Sequence, residues 1–125
     1  MKKIIQTNQA PAPVGPYNQA ILHNGTLYVS GQIALKDGRL ITENIEAETH
    51  QVMQNLAAIL KEANTSFEHV LKCSVFVSDM QNYGRINAVY AEYFEDATAP
   101  ARELVEVANL PKYVNVEISC IAAVD

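Results

Sequence analysis

The sequence predicts an α+β protein with a β-sheet and two helices. Three features of the chain favour this class. Two extended runs joined by a turn come first, two segments with helical spacing flank a strand pattern in the middle, and two further extended runs end the chain. The chain has 125 residues, 49% of them hydrophobic, so it fits one domain over residues 1–125 that buries most of its apolar surface.

A loop precedes the first predicted hairpin. Residues 10–16 contain three prolines and a glycine, which is typical of an ordered loop. Residues 18–22 and 26–33 have the composition of strands, and Asn24-Gly25 between them indicates a hairpin turn. In the second of these runs apolar and polar residues alternate, so one face of the strand is apolar and the other is mixed.

The middle of the chain predicts a helix, a strand and a second helix. In residues 45–63 apolar side chains recur at three-to-four spacing, with Asn44 as a suitable N-cap and Asn64 as a suitable stop. Residues 70–78 alternate as a strand covered on one side would. A second helix is predicted over 81–94. One stripe of that helix carries Tyr83, Ile86, Asn87, Tyr90 and Phe94.

The last two extended runs, residues 102–107 and 113–124, contain unusual polar positions. The final run has an unbroken apolar face, typical of a strand beneath helices, and an opposite face that includes Glu117. An antiparallel hairpin between the two runs would place Arg102 opposite Ser119 and diagonal to Glu117.

The alternation within the extended runs predicts which way their side chains point. Val105 and Val107 are expected in the core, and Leu104 is expected on the opposite face. The face away from the helices is expected to carry Tyr28, Ser30, Arg102 and Glu117. Because this face is too apolar to be simply solvated, we expect a second copy of the chain to cover it.

Composition excludes several classes of function. The nine basic residues are scattered among fourteen acidic ones, and the formal net charge is -5. Binding to nucleic acid phosphates requires clustered Lys and Arg, so no nucleic acid partner is expected. No run approaches the ~20 apolar residues of a membrane span, and the N-terminus lacks a signal-peptide core. We therefore expect a soluble cytoplasmic protein with no membrane partner.

The cysteines and histidines predict no metal site. Cys73 and Cys120 fall at apolar positions of strand-like runs, which favours two small buried core residues. The three histidines have no carboxylate or cysteine at metal-ligand spacing. His50 and Glu46, one helical turn apart, are interpreted as part of a solvated helix face rather than as a catalytic pair.

Three stretches together form a recognisable signature. They are Gly15-Pro16-Tyr17, Ser30-Gly31-Gln32-Ile33, and APARELVEVANLPK at residues 99–112 followed by Val116-Glu117-Ile118. This signature, with the order and spacing of the predicted elements, resembles the RidA family, also known as the YjgF/YER057c/UK114 family. The resemblance runs from about residue 2 to residue 124.

The resemblance implies a fold and an activity. The implied fold is chorismate-mutase-like, a mixed sheet with two helices on one face, assembled as a homotrimer with a central β-barrel and with sites in clefts between subunits. The implied activity is hydrolytic deamination of reactive enamine and imine intermediates, namely 2-iminobutanoate and 2-iminopropanoate, to 2-oxo acids and ammonia.

The resemblance also implies roles for individual residues. Arg102 is expected to bind the substrate carboxylate, and Glu117 to position or activate water. The same pocket is expected to be lined by Tyr17, Ser30, Gly31 and Asn87. Many family members have Ser-Cys where this chain has Glu103-Leu104. A role for a thiol is therefore excluded, and Leu104 is expected to contact substrate through its main chain.

The two principal residue types suit this chemistry. A planar guanidinium binds a carboxylate through two parallel hydrogen bonds and stays charged at physiological pH. A carboxylate across the cleft orients water, and such general acid-base help typically contributes ~10² to 10⁴ in rate. A 2-imino carbon is already reactive towards water, so no cofactor is expected.

Each candidate also has a structural interpretation. Arg102 could form a surface ion pair with a nearby glutamate, and Glu117 could be a structurally paired carboxylate. Asn87 could be a buried amide, Tyr17 a loop anchor, and Ser30-Gly31 a β-bulge.

The activity has alternatives as well. The main one is a non-catalytic regulatory module that binds small carboxylic acids in the same intersubunit cleft, since one fold hosts several functions. RNA cleavage is a third possibility, and the acidic composition argues against it.

Overall fold

The computed structural model describes all 125 residues, and its largest element is a six-stranded mixed sheet. Eight strands occur along the chain: β1 (Lys3–Ile5), β2 (Ala20–His23), β3 (Thr26–Gln32), β4 (Leu35–Lys36), β5 (Arg39–Leu40), β6 (Val70–Val77), β7 (Ala101–Glu106) and β8 (Val116–Ala123). The sheet has the order β1-β2-β3-β8-β6-β7, and β4 and β5 form a separate hairpin. The β6-β7 pair is parallel, whereas the other pairs in the sheet are antiparallel.

Two helices, α1 (Ile45–Glu62) and α2 (Tyr83–Tyr90), pack on one face of this sheet. As predicted, Asn44 caps α1, because its side-chain oxygen accepts a hydrogen bond from the Ala47 amide at 2.7 Å. Asn64, with a φ of 61°, lies just past the end of α1. The α-helical part of α2 is shorter than predicted, because tight 3₁₀ turns replace its first and last turns.

One hydrophobic core of 22 buried residues fills the space between the helices and the sheet. Both layers contribute side chains that are fully buried, among them Leu27, Met53, Leu56, Ile59, Val75 and Ile118. Cys73 and Cys120 are buried as predicted and lie opposite each other on β6 and β8. Burial raises the pKa of both thiols, to about 12 for Cys120. No helix combines the length and the apolar character needed to cross a membrane.

The predicted hairpin between residues 102–107 and 113–124 is wrong, because β6 lies between the two strands. The apolar alternation would be the same for either pairing, so the pattern could not distinguish them. A buried carboxylate, Glu48 on α1, helps to hold β8 in place. It accepts hydrogen bonds from the backbone amides of Asn115 (2.7 Å) and Val116 (3.2 Å) and from the Asn115 side chain (2.8 Å). These bonds fix the start of β8 beneath α1.

The observed pairing reverses the predicted faces of β7. Arg102 pairs with Cys73, and side chains of paired residues in a parallel ladder point the same way, so Arg102 faces the helices. Leu104, predicted on the other face, also points to the helices and packs against the core. Val105, predicted in the core, is 44% exposed on the face away from the helices.

The prediction for β8 is confirmed. Glu117 pairs with Phe76 and lies on the face away from the helices. This face is rich in apolar side chains, including Tyr28 (50% exposed) and Leu71 (53% exposed). Arg102 and Glu117 therefore lie on opposite faces of the same sheet, which the predicted hairpin did not allow.

Candidate active site

The arginine end of the candidate site lies where β7 meets α2. The half-buried Arg102 donates from Nη1 to the Asn87 Oδ1 atom at 2.8 Å and from Nη2 to the Tyr83 hydroxyl oxygen at 3.1 Å. Its guanidinium carbon lies 4.9 Å from the centre of the Tyr90 ring, within the range of a cation–π contact. Three neutral side chains of one short helix thus hold this cation in place.

Arg102 has no carboxylate partner. The three salt bridges of the structure join other residues, and Arg85 rather than Arg102 binds a glutamate in bidentate fashion, Glu46. The interpretation of Arg102 as a surface ion pair is therefore wrong. A guanidinium without a counter-ion can accept an anionic ligand without first breaking an ion pair.

Three other residues surround this end of the site. Asn87, predicted to line the pocket, orients Arg102 through its amide oxygen. Tyr90 is buried, and burial raises its pKa above the usual tyrosine range. The side chain of Leu104 is turned into the core, which leaves its main chain as the part able to meet a ligand.

The glutamate end lies on the other face, at a bulge in β3. The pairing of β3 with β8 shifts between Val29 and Gln32, so Ser30 and Gly31 form a β-bulge. A bulge was the structural interpretation of these two residues from the sequence. Gly31 faces the Glu117 carboxylate directly, and a Cβ at this position would lie 2.8 Å from the Glu117 Cδ atom. The absence of a side chain at Gly31 makes room for this carboxylate.

Glu117 is half-buried and has no charged partner. Burial raises the pKa of its carboxyl group, and no hydrogen bond or nearby charge counteracts this effect. Within one chain, therefore, Glu117 is not a structurally paired carboxylate. A carboxylate with a raised pKa and free lone pairs is suited to exchange protons with water.

A cleft of about 380 Å³ adjoins Gly31. It is bounded by the N-terminal loop, the end of β3 and the turn at Pro111-Lys112, and Tyr17 forms part of its wall. Tyr17 is also a loop anchor, because its hydroxyl accepts a hydrogen bond from the Val14 amide at 3.3 Å. The Ser30 hydroxyl donates to the Asn18 carbonyl at 2.6 Å and so supports the bulge.

Two buried polar residues that support the site were not identified from the sequence. Glu48 fixes the start of β8, as described above. Gln19 holds the proline-rich loop, because its side chain bonds the Thr7 amide at 2.7 Å and the Pro11 carbonyl at 2.9 Å. Glu48 lies in an amphipathic helix and Gln19 at the start of a predicted strand, two places in which a polar residue is ordinary, so no local pattern marked them. A larger groove of about 1070 Å³ beside α1 contains none of the predicted site residues.

The structure therefore divides the predicted site residues into two groups. Arg102, Asn87 and Leu104 belong to the helix side of the sheet. Gly31 and Glu117 belong to the other side, with Ser30 next to Gly31 in the bulge and Tyr17 on the wall of the adjoining cleft. Within one chain the sheet separates the guanidinium from the carboxylate.

Comparisons with known proteins agree with the fold. The family model for Endoribonuclease L-PSP matches residues 7–124. A RutC family protein of Synechocystis is 56% identical over 124 residues, covering 96% of this chain and 95% of that protein. A 2-iminobutanoate/2-iminopropanoate deaminase of Mus musculus is 40% identical, covering 98% of this chain and 91% of that protein.

Solved structures show the same architecture. The crystal structure of Escherichia coli TdcF with bound serine superimposes with a TM-score of 0.92 at 34% identity, over 98% of this chain and 99% of that one. The mixed sheet with two helices predicted from the resemblance is confirmed. The chain belongs to the Endoribonuclease L-PSP family, the family of RutC and RidA proteins that its sequence signature indicated.

Proposed function

We propose that this protein hydrolyses 2-imino acids, such as 2-iminobutanoate and 2-iminopropanoate, to 2-oxo acids and ammonia. The observation that carries the proposal is the unpaired, oriented guanidinium of Arg102, which fits a substrate carboxylate. The mouse relative named as a deaminase of these two imino acids supports the same substrate class.

The reaction needs few groups. Arg102 binds the carboxylate through two parallel N–H donors, which sets the position of the adjacent imine carbon. Glu117 accepts a proton from water as the water oxygen adds to that carbon and the C=N π electrons move to nitrogen. Glu117 passes this proton to nitrogen, which gives a carbinolamine with one hydroxyl and one amino group. Glu117 then accepts the hydroxyl proton and delivers it to the amino nitrogen as the C–N bond breaks, so NH3 leaves and the C=O bond of the 2-oxo acid forms. Water is the one co-reactant, and atoms balance without a cofactor.

We place the working site between two copies of the chain. Arg102 and Glu117 face opposite sides of one sheet, so a site that uses both takes Arg102 from one copy and Glu117 from another. The exposed apolar residues Tyr28, Leu71 and Val105 suit burial against a neighbouring copy. A homotrimer with intersubunit sites, as the family resemblance implies, meets both requirements.

A trapping assay tests the activity. A dehydratase generates 2-iminobutanoate from threonine, semicarbazide traps the imine that remains, and the trapped product is measured with buffer, wild type, Arg102→Ala and Arg39→Ala. Arg39 is an exposed arginine on β5 and is the matched control. We expect wild type and Arg39→Ala to suppress trapping and Arg102→Ala to resemble buffer. If wild type and buffer give the same amount of trapped product for several imino acids, the proposal is rejected.

A regulatory module that binds small carboxylic acids without turnover is the second candidate. The relative TdcF was crystallised with serine, an amino acid that has no imine to hydrolyse. Glu117→Gln distinguishes the two functions. If the protein is an enzyme, Glu117→Gln abolishes imine hydrolysis and keeps carboxylate binding through Arg102. If it is a binding module, neither wild type nor Glu117→Gln hydrolyses the imine, and both bind the carboxylate.

A further inference from the structure

Helix α2 presents three side chains to Arg102. Tyr83, Asn87 and Tyr90 are spaced by four and three residues, so they lie on one face of the helix. Tyr90 is buried beneath the guanidinium, whereas Tyr83 is 41% exposed at the rim. The Tyr83 hydroxyl, 3.1 Å from Arg102 Nη2, is therefore at the solvent side of the cation, from which a ligand would approach.

The hydrogen-bond roles around Arg102 leave donors free. An arginine can only donate, so the Tyr83 oxygen is the acceptor in its bond to Nη2. The phenolic proton of Tyr83 remains available to a further acceptor. Asn87 likewise uses its oxygen towards Arg102 and keeps its amide hydrogens free. The cluster thus offers N–H and O–H donors around one positive charge and contains no anion.

We propose that Tyr83 positions Arg102 and binds the substrate carboxylate together with it, an inference that rests on the proposed function. The Tyr83 oxygen fixes the orientation of the guanidinium, and its O–H donates to a carboxylate oxygen. A carboxylate has about four lone-pair sites, so it accepts this third donor without losing its two bonds to Arg102. Ligands that carry a free carboxylate next to the reacting carbon gain most from this arrangement.

Tyr83→Phe tests the proposal, because it removes the hydroxyl and keeps the ring. We expect KM for 2-iminobutanoate to rise about 10-fold to 100-fold, the effect of one lost hydrogen bond to a charged group, while kcat changes less than about twofold. The matched control is Tyr93→Phe, which removes the 2.9 Å bond between Tyr93 and His50 on another part of the helical layer. A general loss of stability would affect both variants, whereas the KM effect is expected for Tyr83→Phe alone.

Calorimetric titration with the product 2-oxobutanoate separates this inference from the proposed activity. We expect Tyr83→Phe to weaken 2-oxobutanoate binding by the same factor as it raises KM. Weakened binding in a protein that shows no turnover would reject the deaminase function and support the role of Tyr83. Unchanged binding in Tyr83→Phe, or no binding by wild type, would overturn the role of Tyr83 whatever the outcome of the trapping assay.

Discussion

Gly31 lies directly against the Glu117 carboxylate, and the two residues come from neighbouring strands of the sheet. A Cβ at position 31 would come within 2.8 Å of the Glu117 Cδ atom and closer still to an oxygen of the carboxylate. The Glu117 carboxylate therefore occupies its position only because residue 31 has no side chain.

Gly31→Ala is expected to displace the Glu117 carboxylate and to lower imine hydrolysis by ~10-fold or more, since a misplaced general base loses most of its effect. The clash involves the end of a flexible side chain, so the free energy of unfolding should change by less than about 1 kcal/mol. Trapping assays and urea denaturation measure the two effects.

Gly84→Ala is the control for this substitution. A Cβ at Gly84 meets nothing within 4 Å, and the residue is helical, so this variant should be stabilised by about 0.5–1 kcal/mol. Equal activity of Gly31→Ala and wild type would show that the position of the Glu117 carboxylate does not matter for the reaction.

Mixing two inactive variants should restore activity. In the proposed homotrimer, every mixed trimer of Arg102→Ala and Glu117→Ala chains would have one of its three intersubunit sites with an intact Arg102 from one chain and an intact Glu117 from another. Co-expression with two different affinity tags, followed by tandem purification and the trapping assay, measures the recovery. If doubly tagged oligomers remain inactive, the two residues do not act across an interface.

The acid limb of the pH profile should report Glu117. Burial raises the pKa of its carboxyl group above 4.5, so the basic form is lost as pH falls through a value above 4.5. We expect kcat/KM to decline on the acid side with that midpoint and the residual activity of Glu117→Gln to lack this limb. If the acid limb of the kcat/KM profile persists in Glu117→Gln, the group that titrates is not Glu117.

The same raised pKa predicts that Glu117→Gln is more stable than wild type at neutral pH. The folded state binds the Glu117 proton more tightly than the unfolded state, so the charged carboxylate opposes folding. This loss of stability is absent below about pH 4.5, the pKa of the carboxyl group in the unfolded chain. It grows as pH rises towards the pKa of Glu117 in the folded protein, and it is complete above that second pKa. Urea denaturation across this range measures it, and a stability difference that is the same at all pH values would contradict the assignment.

Glu48 is expected to be important for stability although it has no role in the chemistry. Glu48→Ala leaves the half-buried Asn115 amide and the buried Val116 amide without their acceptor and should lower the free energy of unfolding by about 3–5 kcal/mol. Glu62→Ala, at an exposed position of the same helix, should change it by less than about 0.5 kcal/mol. Similar urea midpoints for the two variants would show that Glu48 does not hold β8.

Local patterns predicted most of the secondary structure. The first hairpin, the strand at 70–78 and helix α1 with its cap are determined by apolar spacing, turn residues and a capping side chain within a few positions. The candidate residues were also identified from the sequence, since all but Asn87 fall in a motif of the family signature and Asn87 lies on the helical stripe. Tyr83 was identified as part of a helical stripe, but its bond to Arg102 spans nineteen positions and has no local signal.

The sequence by itself determined the fold class, the family and the residue types of the site, because these depend on short-range pattern and motif. Tertiary structure alone decided that β6 separates β7 from β8, and hence that Arg102 and Glu117 face opposite sides of the sheet. The alternation of apolar and polar residues shows that consecutive side chains of a strand point to opposite faces. It does not show which other strand lies beside it in the sheet. Contacts between residues far apart in the chain, such as the hydrogen bonds of Glu48 to the start of β8, have no signal in the local pattern.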